Sequence, residues 1–337
     1  MELWPMDGGE VTPACGCSAN CYTNTQMHNN RKRLAAYLAI ATLLLTVTAV
    51  TALPAQAPAA PAMPAGELVR AAVANEVAAA NNTAVKHLFR SRKQTPKGSQ
   101  THLYVETDDA MVGVLIAVND EPLTPAQQQG EASHLAWLMN SPDQLRKKKA
   151  REKEDADRTL QIVKALPDAF RYEYAGTEPS AEGMGTAGTE LVRLKFTPNS
   201  SYSPPSRVEQ ALAGMQGYLL IDASSRRIAL IDGTLFRDVT FGWGIIGRLD
   251  KGGHFLVRQA EVSSGAWDIT EMNLNITGKI LLFKTLSMVS DEVFSDFQRV
   301  PDKLTFAHGV QLLKAEQERL AHNGHGPERS EQKKNPR

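Results

Sequence analysis

A run of glycines at residues 242–247 matches the pattern of a dinucleotide-binding turn. The letters are GWGIIG, with Gly242, Gly244 and Gly247 where G-x-G-x-x-G requires them. In such a turn a helix follows the glycines, and its N-terminus holds the pyrophosphate. Here a DKGG turn and then a strand pattern, HFLVRQAEVS, follow instead. The context argues against nucleotide binding and predicts that the glycines let a hairpin bend or bulge.

The three cysteines offer a second possible chemistry, a metal clip. Cys15, Cys17 and Cys21 stand close together, and His28 is the nearest additional ligand. This spacing does not supply the four ligands of a structural zinc site. The sequence therefore predicts no metal and no cofactor, and a chain after Cys21 that folds without disulfides.

The eight histidines form no H-E-x-x-H or comparable catalytic motif. His102 could meet Asp108 and Asp109 across a hairpin, and His254 lies four residues after Asp250. Both pairs are more typical of surface or turn groups than of a catalytic centre. We therefore predict that the protein is not an enzyme, and an unrecognised hydrolase stays as an alternative.

Charge gives no indication of a nucleic-acid partner. The chain has 37 Lys and Arg against 37 Asp and Glu, so its formal net charge is zero. The basic run from Arg146 to Lys149 is followed one turn later by acidic residues, with no aromatic residues between them. The run is predicted to be the solvated face of a helix, carrying pairs such as Lys148 with Glu152 and Glu154 with Arg158.

The first 65 residues are typical of an export signal. A basic cluster at 31–33 precedes the uncharged segment LAAYLAIATLLLTVTAVTAL and then a stretch rich in Ala and Pro. We assign residues 1–26 to a leader that is non-native or disordered, 27–57 to a signal peptide and 58–65 to a linker. This predicts a periplasmic or secreted protein. An uncleaved membrane anchor is the alternative, since about 20 apolar residues can cross a bilayer.

Two kinds of hydrophobic pattern then divide the chain. Helical spacing is found at 66–81, at 124–166 with a break or kink at Pro142, and at 306–321. Alternation typical of strands is found at 101–107, 111–120, 170–176, 191–198, 217–242, 253–263, 266–278 and 279–289. Short turns join most of these strands, which predicts an antiparallel sheet. The fold class is therefore α+β, with one domain over 66–312 and a disordered polar tail over 313–337.

Two resemblances sharpen this prediction. The segments LPDAFRYEYAGTE, VRLKFTPN, SPPSR, DVTFGWGIIGRLDKGGHF and GKILLFKTLS resemble a set of uncharacterised exported acidobacterial proteins. The order of elements resembles the periplasmic lipoprotein-carrier superfamily, which is LolA-like and includes LppX-like and RseB-like relatives. The second resemblance implies a half-barrel, a long curved antiparallel sheet whose N-terminal and inserted helices pack on its concave, apolar side.

The predicted function follows from that concave face. We expect an exported envelope protein that binds a lipid, an acyl chain or a lipoprotein in an apolar half-barrel cavity. The alternative is a non-enzymatic structural or protein-interaction module that binds an envelope protein. The candidate ligand-binding residues are large and apolar, and lie on the late strands: Trp243, Phe255, Val257, Met272, Leu274, Ile276, Leu282 and Leu286.

Overall fold

The computed structural model describes residues 63–82, 84–242, 246–280 and 284–322. The helices within these residues are α1 (Ala65–Ala80), α2 (Pro125–Met139), α3 (Pro142–Ala169), the one-turn α4 (Arg207–Gln210) and α5 (Phe306–His322). The predicted signal peptide and most of the predicted linker lie outside the described residues. Helix α5 continues past residue 313, where the sequence places the start of the tail, and residues 323–337 are not described.

The sheet contains thirteen strands in the described residues. They are β1 (His87–Thr95), β2 (Gly98–Val105), β3 (Val112–Val118), β4 (Glu121–Pro122), β5 (Phe170–Pro179), β6 (Glu190–Pro198), β7 (Met215–Asp222), β8 (Ile228–Leu235), β9 (Val239–Phe241), β10 (Gly247–Leu249), β11 (His254–Ser263), β12 (Ala266–Ile280) and β13 (Lys284–Arg299).

All pairings between these strands are antiparallel, so the predicted α+β class with a long antiparallel sheet is confirmed. The main path runs β4-β3-β2-β1-β13-β12-β11-β8-β7-β6-β5, and the β9–β10 hairpin attaches to β12. The sheet is open, with β4 and β5 as the edges of this path. Register shifts interrupt five of the pairings, and such bulges increase the local twist and bend of a sheet.

The glycine run is part of a hairpin, as the sequence predicts. Phe241 at the end of β9 pairs with Gly247 at the start of β10, so a strand and not a helix follows the last glycine. Gly242 has a φ of 54°, in the left-handed region that glycine favours. Trp243, Gly244 and Ile245 lie outside the described residues. A pyrophosphate-binding helix therefore does not begin at Gly247.

Helix α3 connects the two edges of the sheet. Its 28 residues give a length of about 42 Å, at 1.5 Å per residue. Its charged middle carries the predicted pairs, Lys148 with Glu152 at 2.8 Å and Glu154 with Arg158. The break at Pro142 is also observed, because α2 ends at Met139 and α3 begins with this proline. The chain thereby passes from β4 to β5 at the opposite edge.

Two hydrophobic cores lie near the two ends of the sheet. The first forms where α1 and the end of α3 cover β5–β8, and it contains Val69, Ala72, Leu166, Leu194 and Leu219 among others. Helix α1 fits this role because its apolar residues recur at helical spacing on one side. A smaller cluster, Leu191, Leu220 and Ala229, lies apart from it. Truncating a fully buried leucine of this kind costs about 2–5 kcal/mol.

The second core forms where α2 and α5 cover β1–β3. Its members include Leu103, Val112, Leu135, Val310 and Leu313, all of them 3% exposed or less. Helix α2 has a well-defined start, because Thr124 and Gln127 form a reciprocal capping box and Pro125 follows the cap. Between the two cores, strands β11–β13 form the middle of the sheet.

Candidate functional site

The candidate ligand-binding residues form an apolar strip on the middle strands. Phe255 is opposite Leu274, and Val257 is opposite Met272, so these four side chains share one face of β11 and β12. Leu286 of β13 is opposite Gly278. Ile276 is buried, whereas the other five are half-buried, and Phe255 also contacts the first core. Trp243 and Leu282 lie outside the described residues.

The strip lies on one face of the sheet, and the second core lies on the other. Met272 pairs with Glu292, and Glu292 in turn pairs with Lys93. Lys93 pairs with Gln100, so these residues share the face of the strip. Because successive side chains of a strand point to opposite faces, Thr101 points toward α2 and α5.

A cavity of about 570 Å³ lies on this second face, between β2–β3, α2 and α5. Its walls include the apolar side chains Val114, Ile116, Leu123, Leu135 and Leu320. None of the six candidate residues that the structure describes belongs to its lining. The sequence therefore predicts an apolar binding surface, but the cavity lies elsewhere, on the opposite face of the sheet.

Polar groups occupy defined places in the cavity wall. Thr101 is 3% exposed, and its hydroxyl has no hydrogen-bond partner among the described residues. Glu131 of α2 accepts a hydrogen bond of 3.1 Å from the backbone amide of Leu115. Lys314 and Gln128 also line the cavity. A buried, unpaired hydroxyl costs free energy, and a ligand with a polar group could satisfy it.

A second polar constellation lies where β1, β2, β11 and β12 meet. His87 is 3% exposed, and its Nδ1 lies 3.9 Å from Oε2 of Glu106 and 3.9 Å from Oδ2 of Asp268. Its Nε2 lies 2.9 Å from Oγ of Ser263. The ring of Phe297 packs edge-on against the imidazole, with 5.9 Å between centroids. We call these four residues, His87, Glu106, Ser263 and Asp268, the His87 cluster.

Burial controls the protonation of the His87 cluster. Burial is the main cause that raises the pKa of Glu106 to about 7, with a smaller contribution from the Asp268 carboxylate, and a hydrogen bond from the His87 amide opposes the shift. Burial likewise raises the pKa of Asp268 and lowers the pKa of His87. Two carboxyl groups and an imidazole therefore share a poorly solvated space. Shifts of this kind are common at functional sites.

The two histidine–aspartate pairs considered in the sequence analysis, and judged there to be more typical of surface or turn groups, do not form in the structure. His102 stacks on Tyr104 with 5.5 Å between ring centroids, while Asp108 pairs with Lys86 and Asp109 accepts from the amide of Phe306. His254 does have a carboxylate partner, but it is Asp232 of β8, at 2.8 Å. Strand register explains this partner, because β11 pairs with β8 at these positions.

The His87 cluster could not be found from sequence motifs. His87, Ser263 and Asp268 belong to β1, β11 and β12, and Glu106 directly follows β2. No two of the histidine and carboxylate residues lie within 18 positions of each other. Only the long-range pairing of β1 with β13, and the position of the β11–β12 hairpin beside it, bring them together. Finding the cluster from the sequence would first require assigning residues 87–95 to a strand. The sequence leaves that segment ambiguous between helix and strand.

Comparisons with known proteins identify no family. No protein-family model matches the chain, and no curated protein matches it. Among solved structures, the crystal structure of a DUF1329 family protein from Desulfovibrio piger is similar over 73% of this chain and 96% of that chain, at 11% identity and a TM-score of 0.25. Within the described residues, none of the helices has the length and apolar character needed to cross a bilayer.

Proposed function

We propose that this protein binds a lipid-like ligand, with an acyl chain in the cavity between α2, α5 and β2–β3. The observation that carries the proposal is the cavity of about 570 Å³ whose walls are largely aliphatic. Its volume falls within the range of about 300–1,000 Å³ that is usual for small-molecule sites. The buried hydroxyl of Thr101 gives such a ligand one polar contact inside the cavity.

The elements around the cavity hold its shape. Helix α5 packs closely on β2 and β3, because Gly309 leaves room where a Cβ would lie only 2.8 Å from Val112 Cγ2. Helix α2 is fixed by its capping box and by Leu135, which is 3% exposed in the second core. A preformed cavity of this kind lowers the entropy cost of binding.

The proposed setting is the cell envelope. Residues 27–57 have the composition of a signal peptide, and a protein outside the cytoplasm that shields an acyl chain from water would serve as a lipid or lipoprotein carrier. This part of the proposal depends on the sequence alone. It is tested by N-terminal sequencing of the mature protein from the envelope fraction of its host.

A second candidate function is protein binding through the apolar strip of β11–β13. Val257, Met272 and Leu274 are half-buried, and Met288, which is opposite Ile276, is 41% exposed. Contiguous apolar surface at the middle of a sheet is typical of an interaction site. An envelope protein bound there would agree with the alternative drawn from the sequence.

Ligand binding is tested with the full chain and cis-parinaric acid, a fluorescent 18-carbon fatty acid. We expect saturable binding in the wild type and at least a tenfold weaker affinity in Ala132→Trp, because Ala132 lines the cavity from an exposed position. Ser133→Trp is the matched control, since Ser133 is the next residue of α2 and is not in the lining. We expect it to bind like the wild type.

A third variant separates the two faces of the sheet. Met272→Gln alters the strip but not the cavity, so the proposal predicts unchanged fatty-acid affinity. If Met272→Gln weakens binding and Ala132→Trp does not, the ligand occupies the strip and the cavity assignment is wrong. Absence of saturable binding in the wild type would also contradict the proposal.

A further inference from the structure

The ring nitrogen Nδ1 of His87 faces two carboxylates without hydrogen bonding to either. Both distances, to Glu106 Oε2 and to Asp268 Oδ2, are 3.9 Å, which is beyond the range of a hydrogen bond. One ligand atom from each of the three residues lies within 4.8 Å of the others. The three atoms therefore lie close enough together to contact a single ion.

That spacing is close to what one metal ion requires. Zinc binds imidazole nitrogen and carboxylate oxygen at about 2.0–2.2 Å, so two ligands of a tetrahedral ion lie roughly 3.4 Å apart. Side-chain movements of less than about 1 Å would bring the three atoms of this site to such a distance. An imidazole with two carboxylates suits first-row divalent transition metals better than calcium or magnesium, which prefer oxygen ligands alone.

The surrounding hydrogen bonds orient each of the three side chains. Nε2 of His87 is paired with Oγ of Ser263 at 2.9 Å, which leaves Nδ1 for the ion. Oδ1 of Asp268 accepts from the amide of Ile269 at 2.8 Å, which leaves Oδ2. Oε2 of Glu106 is held by the amide of His87 at 2.8 Å. Metal sites in proteins commonly use such outer contacts to fix their ligands.

Charge also favours a cation at this point. His87 is almost fully buried, and Glu106 and Asp268 are partly buried beside it. Lys86, the cation directly before β1, is already paired with Asp108. Arg299 lies near enough to act on His87 electrostatically, but no salt bridge joins it to either carboxylate among the described residues. A bound divalent cation would compensate two partly buried carboxylates at once.

We propose that His87, Glu106 and Asp268 bind a first-row divalent transition-metal ion, such as Mn²⁺ or Zn²⁺, with Ser263 as the outer partner of the histidine. The site joins the β1–β2 hairpin to the β11–β12 hairpin, so the ion links two parts of the sheet that are distant in sequence. Three protein ligands leave at least one coordination position for water. The site shares no residue with the cavity lining, so the two proposals can fail independently.

The test is Mn²⁺ binding to the chelator-treated full chain, followed by electron paramagnetic resonance. Mn²⁺ is chosen because its preference for oxygen and nitrogen ligands reduces binding to the thiols of Cys15, Cys17 and Cys21. We expect one saturable site in the wild type that weakens at least 100-fold in His87→Gln and in Asp268→Asn. Ser263→Ala should weaken it about tenfold, the usual effect of removing an outer contact.

The matched control is His254→Asn, which removes a histidine that also contacts a carboxylate, Asp232, but belongs to no three-ligand group among the described residues. Its Mn²⁺ affinity should equal that of the wild type. Circular dichroism of each variant shows whether it has folded, and Asp268→Asn keeps the test valid if His87→Gln does not fold. Binding that is absent from the wild type, or unchanged in both folded ligand variants, would overturn the proposal.

Discussion

Glu76 of α1 and Arg227, one residue before β8, form a two-point ion pair that ties the first helix to the sheet. Oε1 lies 2.8 Å from Nε and Oε2 lies 2.9 Å from Nη2, and both side chains are 13% exposed or less. Oε1 also accepts from the backbone amide of Ile228 at 2.8 Å. The guanidinium lies 5.3 Å from the ring centroid of Trp267, so this contact joins α1, β8 and β12.

Glu76→Gln should lower the free energy of unfolding by about 3 kcal/mol, because it leaves a nearly buried guanidinium without its counter-charge. Urea denaturation measures the loss. The control is Arg70→Gln, since the pair of Arg70 with Asp168 has side chains that are 60% and 68% exposed. That change should cost less than about 1 kcal/mol. Equal effects of the two substitutions would contradict the importance of the Glu76 pair.

Asp222 should make the protein sensitive to acid. Burial by itself would raise the pKa of Asp222, but hydrogen bonds outweigh it and hold the pKa well below its usual range. The donors are the Ser224 hydroxyl, the Ser225 amide, the Thr189 hydroxyl and the Thr186 amide. This contribution to stability is present above the unfolded-state pKa, about 3.9 for aspartate, and is lost as the pH falls through the lower folded-state value.

The corresponding experiment compares urea denaturation of the wild type and Asp222→Asn between pH 7 and pH 3. We expect the variant to be less stable by about 2 kcal/mol or more at pH 7, the effect of losing hydrogen bonds to a charged group. The difference should begin to shrink as the pH falls below about 4. A difference that grows on acidification would show that Asp222 does not behave as a stabilised carboxylate.

The unpaired hydroxyl of Thr101 predicts opposite effects on stability and on binding. Thr101→Val should raise the free energy of unfolding of the ligand-free protein by about 1 kcal/mol, because an unsatisfied buried group is removed. The same change should weaken binding of a ligand that uses the hydroxyl. Thr189→Val is the comparison, because the Thr189 hydroxyl lies 2.6 Å from Asp222, and its removal should destabilise. Stability is measured by urea titration and binding by parinaric acid fluorescence.

Two helical glycines should respond differently to alanine. A Cβ at Gly309 of α5 would lie 2.8 Å from side-chain atoms of Thr107 and Val112, whereas a Cβ at Gly130 of α2 would meet nothing within 4 Å. Gly309→Ala should therefore destabilise the protein by about 1–3 kcal/mol through overpacking. Gly130→Ala should stabilise it by up to about 1 kcal/mol through helix propensity. Thermal unfolding that shifts in the same direction for both variants would refute the close packing of α5.

The sequence predicts the strands well where one face of each is buried, because alternation then carries the information. Met272, Leu274 and Ile276 alternate with asparagines and threonine, and β12 has this register. The sequence also predicts the β9–β10 hairpin, because the turn and strand patterns that follow the glycines are local. Residues 85–94 show no clear period, so the pairing of β1 with β13 could not be anticipated.

The two sites were harder to predict because they depend on contacts between distant segments. The cavity forms only because α5 packs on β2 and β3. That packing depends on which faces of distant elements meet, and no local motif indicates it. The His87 cluster requires residues 87, 106, 263 and 268 to meet, and its key histidine lies in the segment of ambiguous period. Composition and residue spacing do not indicate which distant segments come into contact. The apolar strip could be predicted because its strands are consecutive in the chain and each shows its own alternation.

The pairing of β1 with β13 has a consequence for biosynthesis. About 190 residues separate the end of β1 from the start of β13, and at about 5–20 residues per second the ribosome needs roughly 10–40 s to make them. Throughout that interval one side of β1 has no hydrogen-bonding neighbour, and such bare strand edges promote aggregation. The pairing of β1 therefore stays incomplete until β13 has left the ribosome.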